Sequence, residues 1–122
     1  MSFRLNKYQL EKYSRQIILK DVGALGQKKI IKSKVLIVGM GGLGCPVAEF
    51  LTRAGIGNIG IVDFDKVDLS NIHRQSLFNL KDLKKSKVIA AKKKLNKINT
   101  QTKVKCYNLK LNKINQCKII RK

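Results

Sequence analysis

A glycine-rich turn between two apolar runs is the feature that most constrains the fold of this chain. The run VLIV (Val35–Val38) is followed at once by GMGGLG, residues 39–44. Residues 43–54 then have helical periodicity up to a stop at Gly55, and a second apolar run, Ile59–Val62, comes next. Strand, glycine turn, helix and strand form a βαβ unit. This order predicts an α/β protein with a Rossmann-like, doubly wound parallel sheet.

The spacing within the turn fits G-x-G-x-x-G, a pattern typical of nucleotide-binding sites. Gly39 allows the tight turn, Gly41 lets a ligand approach the backbone, and Gly44 lets the helix pack closely on the sheet. The start of the following helix favours anions. We therefore expect a nucleotide to lie on Gly39, Gly41, Gly42 and Gly44; glycines that serve only the tight turn are the structural alternative.

An acidic residue closes the second predicted strand. Asp63 lies 24 residues after Gly39 (63 − 39), the position at which such domains bind the ribose. It opens the segment DFDKVDLSNIHRQ, which contains three of the seven acidic residues of the chain. We expect Asp63 to bind ribose hydroxyls and Asp65 to order the site or its loop, whereas Asp68 is either a turn residue or part of the site.

Cationic and amide side chains follow the ribose acid. Asn71, Arg74 and Lys87 can reach back toward the same nucleotide. A dinucleotide needs no such groups, because the helix start already binds its pyrophosphate. Their presence favours chemistry on a phosphorus atom, where negative charge must be stabilised as a bond forms and pyrophosphate leaves.

The rest of the chain supplies further elements around this unit. We predict one helix from Asn6 to about Lys20, a second short helical piece over residues 26–33, a helix over residues 86–98 capped by Ser86, and a third strand over residues 104–109; the last dozen residues are ambiguous. The predicted organisation is an N-terminal helical segment, residues 1–32, followed by a partial nucleotide-binding domain, residues 33–122. Together they form a single domain.

Composition limits the other functions open to the chain. The formal net charge is +20, from 27 basic against seven acidic residues, and lysine supplies most of it. Few aromatic residues lie among these lysines, so solvated lysine faces are favoured over a nucleic-acid interface. The N-terminus is too charged for a signal peptide, and no apolar run reaches the roughly 18 residues of a membrane span, which predicts a cytoplasmic protein without membrane contact.

The cysteines and the histidine are expected to have structural or neutral roles. Three cysteines without a CxxC pair predict reduced thiols and neither a disulfide framework nor a zinc site. Cys45 follows Gly44 at a helix start, which can lower a thiol pKa, but packing of a small side chain is favoured. Cys106 is expected in the core, and His73 in solvent.

The chain resembles the N-terminal half of the ThiF/MoeB/HesA adenylating enzymes, relatives of the ubiquitin-activating enzymes. The resemblance extends over nearly the whole chain. It rests on YSRQI (residues 13–17), GxxGQ (residues 23–27), the block VLIVGMGGLGCPVAEFLTRAGIGNIGIVDFDKVDLSNIHRQSLF (residues 35–78) and KSK (residues 85–87).

This resemblance implies ATP-dependent adenylation of the C-terminal glycine of a ubiquitin-like sulfur-carrier protein, for thiamine or molybdenum-cofactor biosynthesis. It implies that the turn glycines line the nucleotide, Asp63 holds the ribose, and Asn71, Arg74 and Lys87 face the phosphates. Arg15 matches an arginine that enters the site of a partner subunit, which implies a homodimer. The family also uses Mg²⁺.

The chain differs from the family pattern at its end. Family members are longer and place beyond this point the aspartate that binds magnesium, paired CxxC motifs for zinc, and further strands. In the strand order 3-2-1-4-5-6, their absence leaves the first strand as an unprotected edge. We therefore expect a fragment with the main magnesium ligand beyond residue 122, without the family's zinc site, and prone to self-association. An NAD- or FAD-binding Rossmann domain and a tRNA-modifying adenylating relative remain alternative functions.

Overall fold

A three-stranded parallel sheet forms the centre of the molecule, as seen in a computed structural model that describes residues 3–120. The strands are β1 (Lys34–Val38), β2 (Asn58–Val62) and β3 (Lys103–Tyr107), in the order β1-β2-β3. Both pairings are parallel, with Val35 opposite Ile59 and Ile59 opposite Val104. The predicted Rossmann-like α/β class is confirmed.

Six α-helices surround or precede the sheet in the described part of the chain. They are α1 (Lys7–Lys12), α2 (Ser14–Ile17), α3 (Gly23–Lys32), α4 (Gly44–Ala54), α5 (Lys87–Ile98) and α6 (Gln116–Ile120). Two short 3₁₀ helices, Leu69–Asn71 and Leu80–Asp82, lie between β2 and α5. Within residues 3–120 there is no helix with the length and apolar character that a membrane crossing needs.

The hydrophobic core lies between one face of the sheet and helices α4 and α5. Ile59 and Ile61 on β2 are almost completely buried, as are Ala48 on α4 and Val88 and Leu95 on α5. Removing a large apolar side chain from water stabilises a fold by about 1.5–3 kcal/mol. This face therefore holds the βαβ unit together and fixes the turn between β1 and α4.

The opposite face of the sheet is much less covered. The short helix α6 lies there, and its residues Ile119 and Ile120 line an open cavity of about 520 Å³. A short continuous apolar run such as VLIV is typical of a strand buried on both faces, but on β1 only Ile37 is buried, and Val38 at the end of the strand is 58% exposed. Val38 is exposed because β1 lies at the edge of the described sheet.

The N-terminal segment does not form the single helix that we predicted. Asn6 caps α1 through a hydrogen bond from the Gln9 N–H (2.8 Å), as expected, but the helix ends at Lys12. Tyr13 is buried, and its hydroxyl accepts a hydrogen bond from Nδ2 of Asn99 (3.0 Å). This contact between residues distant in the sequence turns the chain at Tyr13, and helix α2 starts after it.

Two other helix starts also differ from the predictions. The second helical piece begins at Gly23, with φ of 61°, three residues before the predicted start at Gly26. Ser86 lies at the N-cap of α5, but its hydroxyl does not cap the helix and is buried without a partner in the described structure. The position of Ser86 before the helix was therefore insufficient to predict that its hydroxyl leaves the helix uncapped.

Candidate functional site

The glycine turn connects the carboxyl end of β1 to the start of α4. Gly39 has φ of 95°, in the left-handed region that favours glycine, and its N–H donates to the carbonyl oxygen of Val62 (2.7 Å). A β-carbon on Gly44 would overlap the carbonyl oxygen of Gly39. The tight turn and the close approach of α4 to the end of β1 therefore both require glycine.

Asp63 lies directly beside this turn. One carboxylate oxygen, Oδ2, accepts a hydrogen bond from the N–H of Met40, and Oδ1 accepts one from the N–H of Asp65; both distances are 2.8 Å. The side chain is half-buried. The candidate ribose acid is thus held by the glycine turn on one side and by the acidic segment on the other.

Arg74 lies over another residue of the turn. Its Cδ atom is 3.6 Å from the position that a β-carbon on Gly42 would take. Its Nη1 atom donates to the carbonyl oxygen of Ser70 (2.8 Å), and the residue is exposed. The loop after β2 therefore returns to the glycine turn and brings a guanidinium group there.

Lys87 reaches the same end of the sheet from the start of α5. Its side chain is 7% exposed, and Nζ lies 3.9 Å from Oδ2 of Asp65, which is 54% exposed. Hydrogen bonds between the two segments hold them together, including the Lys87 N–H to the Asp65 carbonyl oxygen (3.1 Å) and the Val67 N–H to the Lys85 carbonyl oxygen (2.8 Å). A cation is thereby kept next to the acidic segment.

Asn71 and Asp68 form a local cap in the loop. The Asp68 carboxylate accepts hydrogen bonds from the N–H and hydroxyl of Ser70, and the Asp68 N–H donates to Oδ1 of Asn71 (2.9 Å). The hydrogen bond from the Ser70 hydroxyl is the main cause of the lowered pKa of Asp68. Asp68 therefore has the turn role that we considered, and the Asn71 oxygen helps to order the loop.

Gln75 is a residue at the site that the sequence analysis missed. It is 3% exposed, and its Nε2 atom lies 3.7 Å from the position of a β-carbon on Gly41. Its Oε1 atom is buried and has no hydrogen-bond partner among residues 3–120. A glutamine in a polar loop has no distinctive spacing, so only the three-dimensional contact with Gly41 identifies it.

Arg15 is not brought to this site. It is exposed on α2, and the neighbouring Gln16 donates through Nε2 to the carbonyl oxygen of Ala54 (2.7 Å). Ala54 is the last residue of α4, and Gly44 is the first. A helix of this length extends about 16 Å. Arg15 therefore lies toward the end of α4 opposite the glycine turn of its own chain.

Cys45 and His73 lie where we expected them, whereas Cys106 is only partly buried. Cys45 is completely buried, and burial is the main reason that its pKa is raised rather than lowered by the helix start. Cys106 is half-buried against the core, and its Sγ donates to the carbonyl oxygen of Val88 (3.2 Å). His73 is exposed. These side chains supply no nucleophile to the site.

The acidic side chains near the turn do not fit a magnesium site of their own. Asp63 already accepts backbone hydrogen bonds on both oxygens, and Asp65 faces the Lys87 ammonium group. Mg²⁺ prefers several oxygen ligands in octahedral geometry. No group of three or more histidine, cysteine, aspartate or glutamate side chains within residues 3–120 could hold a metal ion.

The sheet order and glycine turn define a Rossmann-like α/β domain. Residues 13–122 match the model of the ThiF family, and the chain belongs to this family. It is 46% identical over 117 residues to the "Adenylyltransferase and sulfurtransferase MOCS3" of Drosophila virilis, which covers 96% of this chain and 26% of that protein. It is 40% identical over 118 residues to the "Sulfur carrier protein adenylyltransferase" of Thermus thermophilus, which covers 97% of this chain and 44% of that protein.

A solved structure with a bound nucleotide is also similar. The crystal structure of E. coli MccB with ATP superimposes with a TM-score of 0.77 at 34% identity, over 88% of this chain and 33% of that one. The chain therefore spans less than half of the length of each of these three proteins.

Proposed function

We propose that this chain is the ATP-binding part of an adenylyltransferase that activates the C-terminal carboxylate of a ubiquitin-like sulfur-carrier protein. The observation that most supports this function is the pair of opposite charges on one glycine turn. The Asp63 carboxylate accepts a hydrogen bond from the N–H of Met40. Two residues further along the turn, the Arg74 side chain lies over Gly42. A carboxylate suits ribose hydroxyls, and a guanidinium suits phosphate oxygens.

The reaction proposed for this site is a displacement at the α-phosphorus. A carboxylate oxygen of the carrier's last glycine attacks that phosphorus. The bond from the α-phosphorus to the bridging oxygen breaks, and its electron pair leaves with pyrophosphate. An acyl-adenylate remains. Negative charge grows on the phosphoryl and bridging oxygens during this step, and fixed cations stabilise it without reorganisation.

Arg74 and Lys87 are the residues that we assign to this stabilisation. Arg74 offers a planar group with several donors, and Lys87 a compact charge on a side chain that is 7% exposed. Burial strengthens the interaction of Lys87 with a phosphate, because less water screens it. Asp65 can hold the ammonium group in place before the nucleotide binds.

Arg15 supports a homodimer as the working form. On one chain it lies toward the end of α4 that is distant from the glycine turn. Helix α2 is held there by the hydrogen bond of Gln16 to the Ala54 carbonyl oxygen, which Gln27 of α3 shares, so a swing of α2 toward its own site would break a partly buried hydrogen bond. This placement supports the role that the resemblance implies, in which Arg15 acts in the site of a second copy.

Pyrophosphate exchange into ATP, dependent on the carrier protein, tests this function. We expect wild-type exchange to fall by about 10²–10³-fold in Arg74→Ala, by analogy with the loss of one charge-stabilising donor. Arg53→Ala is the matched control, because Arg53 is an exposed arginine on α4 paired with Glu49 (3.1 Å). Undiminished exchange in a folded Arg74→Ala variant would contradict the proposal.

A further inference from the structure

The glycine turn meets three polar side chains in the order of its own residues. A carboxylate lies beside Met40, an amide beside Gly41 and a guanidinium over Gly42, three consecutive residues of the turn. These contacts are Asp63 with Met40, Gln75 with Gly41, and Arg74 with Gly42. The turn therefore presents an acceptor, a neutral amide and a cation along a short line.

The side-chain amide of Gln75, unlike its backbone, makes no hydrogen bond to another described residue. Its backbone N–H donates to the Asn71 carbonyl oxygen (2.9 Å), and its carbonyl oxygen accepts from the Phe78 N–H (3.0 Å). The side-chain oxygen, in contrast, is buried without a partner in the described structure. A buried amide oxygen without a donor costs about 1–3 kcal/mol. A phosphate cannot relieve that cost, because both oxygens are acceptors. The donor end of the amide, Nε2, faces the turn beside Gly41 instead, where it can donate to a ligand.

The order of the three groups identifies the part of the ligand that faces Gln75. In the proposed function the ribose lies at Asp63, and the terminal phosphates lie toward Arg74. The phosphoryl group between them is the α-phosphate. Gly41, which has no side chain, leaves space for it beside Nε2 of Gln75. We propose that Gln75 binds the α-phosphate of ATP through its amide N–H, and so contacts the phosphorus that the carboxylate attacks. This inference rests on the proposed function.

Calorimetric titration of the 122-residue chain with adenosine, AMP and ATP tests this assignment. AMP differs from adenosine by the α-phosphate alone. We expect Gln75→Met to lower the affinity for AMP by about 10–100-fold, the value of a hydrogen bond to a charged group, and to leave the affinity for adenosine unchanged. Gln75→Glu lowers the AMP affinity further, because a carboxylate cannot donate and repels phosphate.

Two control variants separate this role from others. Arg74→Ala is expected to reduce the preference for ATP over AMP while keeping the preference for AMP over adenosine. Gln27→Met removes another buried glutamine, whose Nε2 donates to the Ala54 carbonyl oxygen (3.0 Å) away from the turn. It is expected to lower the melting temperature without changing the ratio of AMP to adenosine affinity.

Three results would overturn the assignment. The first is an unchanged ratio of AMP to adenosine affinity in Gln75→Met. The second is an equal loss of affinity for all three ligands together with a lower melting temperature, because this indicates a structural role. The third is a wild-type chain that binds none of the three ligands, which contradicts the proposed function as well. The first two leave that function intact.

Discussion

Gly44 lies so close to Gly39 that a β-carbon on Gly44 would overlap the Gly39 carbonyl oxygen. A β-carbon on Gly41, in the same turn, would meet only Nε2 of Gln75, at an ordinary contact distance of 3.7 Å. Gly44 is thus required by the close approach of two backbone segments, whereas Gly41 leaves space beside the turn that a ligand can occupy. The two requirements can be separated by mutation.

Gly44→Ala and Gly41→Ala are expected to fail in different ways. Gly44→Ala forces the turn open, and such overpacking costs about 1–3 kcal/mol, so the variant melts several degrees below wild type and also loses ATP binding. Gly41→Ala keeps the wild-type melting temperature but loses ATP binding, because the methyl group fills the space that the ligand needs. Thermal unfolding followed by circular dichroism, with ATP titration, measures both. A Gly41→Ala variant that binds ATP like wild type would show that this space is not the binding site.

Mixing of two inactive variants tests the placement of Arg15. Arg15→Ala and Arg74→Ala are each expected to lose carrier-dependent pyrophosphate exchange. If Arg15 acts in the partner's site, a mixed dimer has one site with both arginines, and an equal mixture recovers about a quarter of the wild-type sites. The measurement is exchange after subunit mixing. No recovery in dimers shown to have exchanged subunits would place Arg15 in its own chain's site.

The exposed end of β1 is expected to promote self-association. Val38 is 58% exposed on an edge strand of the described sheet, and unprotected edges pair with other chains. Val38→Lys should lower the apparent mass at high protein concentration, because a lysine on an edge strand opposes pairing. Ile114→Lys is the matched control, since Ile114 is 83% exposed outside the sheet. Sedimentation of wild type as a monomer at all concentrations, with a cooperative melt, would contradict this expectation.

The βαβ unit could be predicted closely from the sequence because local patterns determine it. The strands β1 and β2 and helix α4 lie within one residue of the predicted bounds. Short apolar runs favour strands, and Gly55, with φ of 98°, ends α4 where the pattern indicated. The same patterns place Asp63 at the end of the second strand, where its carboxylate lies beside the glycine turn.

Features that depend on contacts between distant residues could not be predicted in this way. The break at Tyr13 depends on Asn99, which is 86 residues further along the chain. The exposure of Val38 depends on which strands neighbour β1, and the buried amide of Gln75 depends on how the loop returns to Gly41. The distance of Arg15 from the turn depends on how α2 packs against the end of α4.

The most direct test of the central claim is a calorimetric titration of the full 122-residue chain with ATP and, separately, with NAD⁺. The acid and the cations along the glycine turn predict that ATP binds and that NAD⁺ does not compete with it. Asp63→Ala should weaken ATP binding by about 10–100-fold, because it removes hydrogen bonds between a charged acceptor and the ribose. Binding of NAD⁺ in preference to ATP, or binding of ATP that is unaffected in a folded Asp63→Ala variant, would contradict the assignment of this turn as an ATP site.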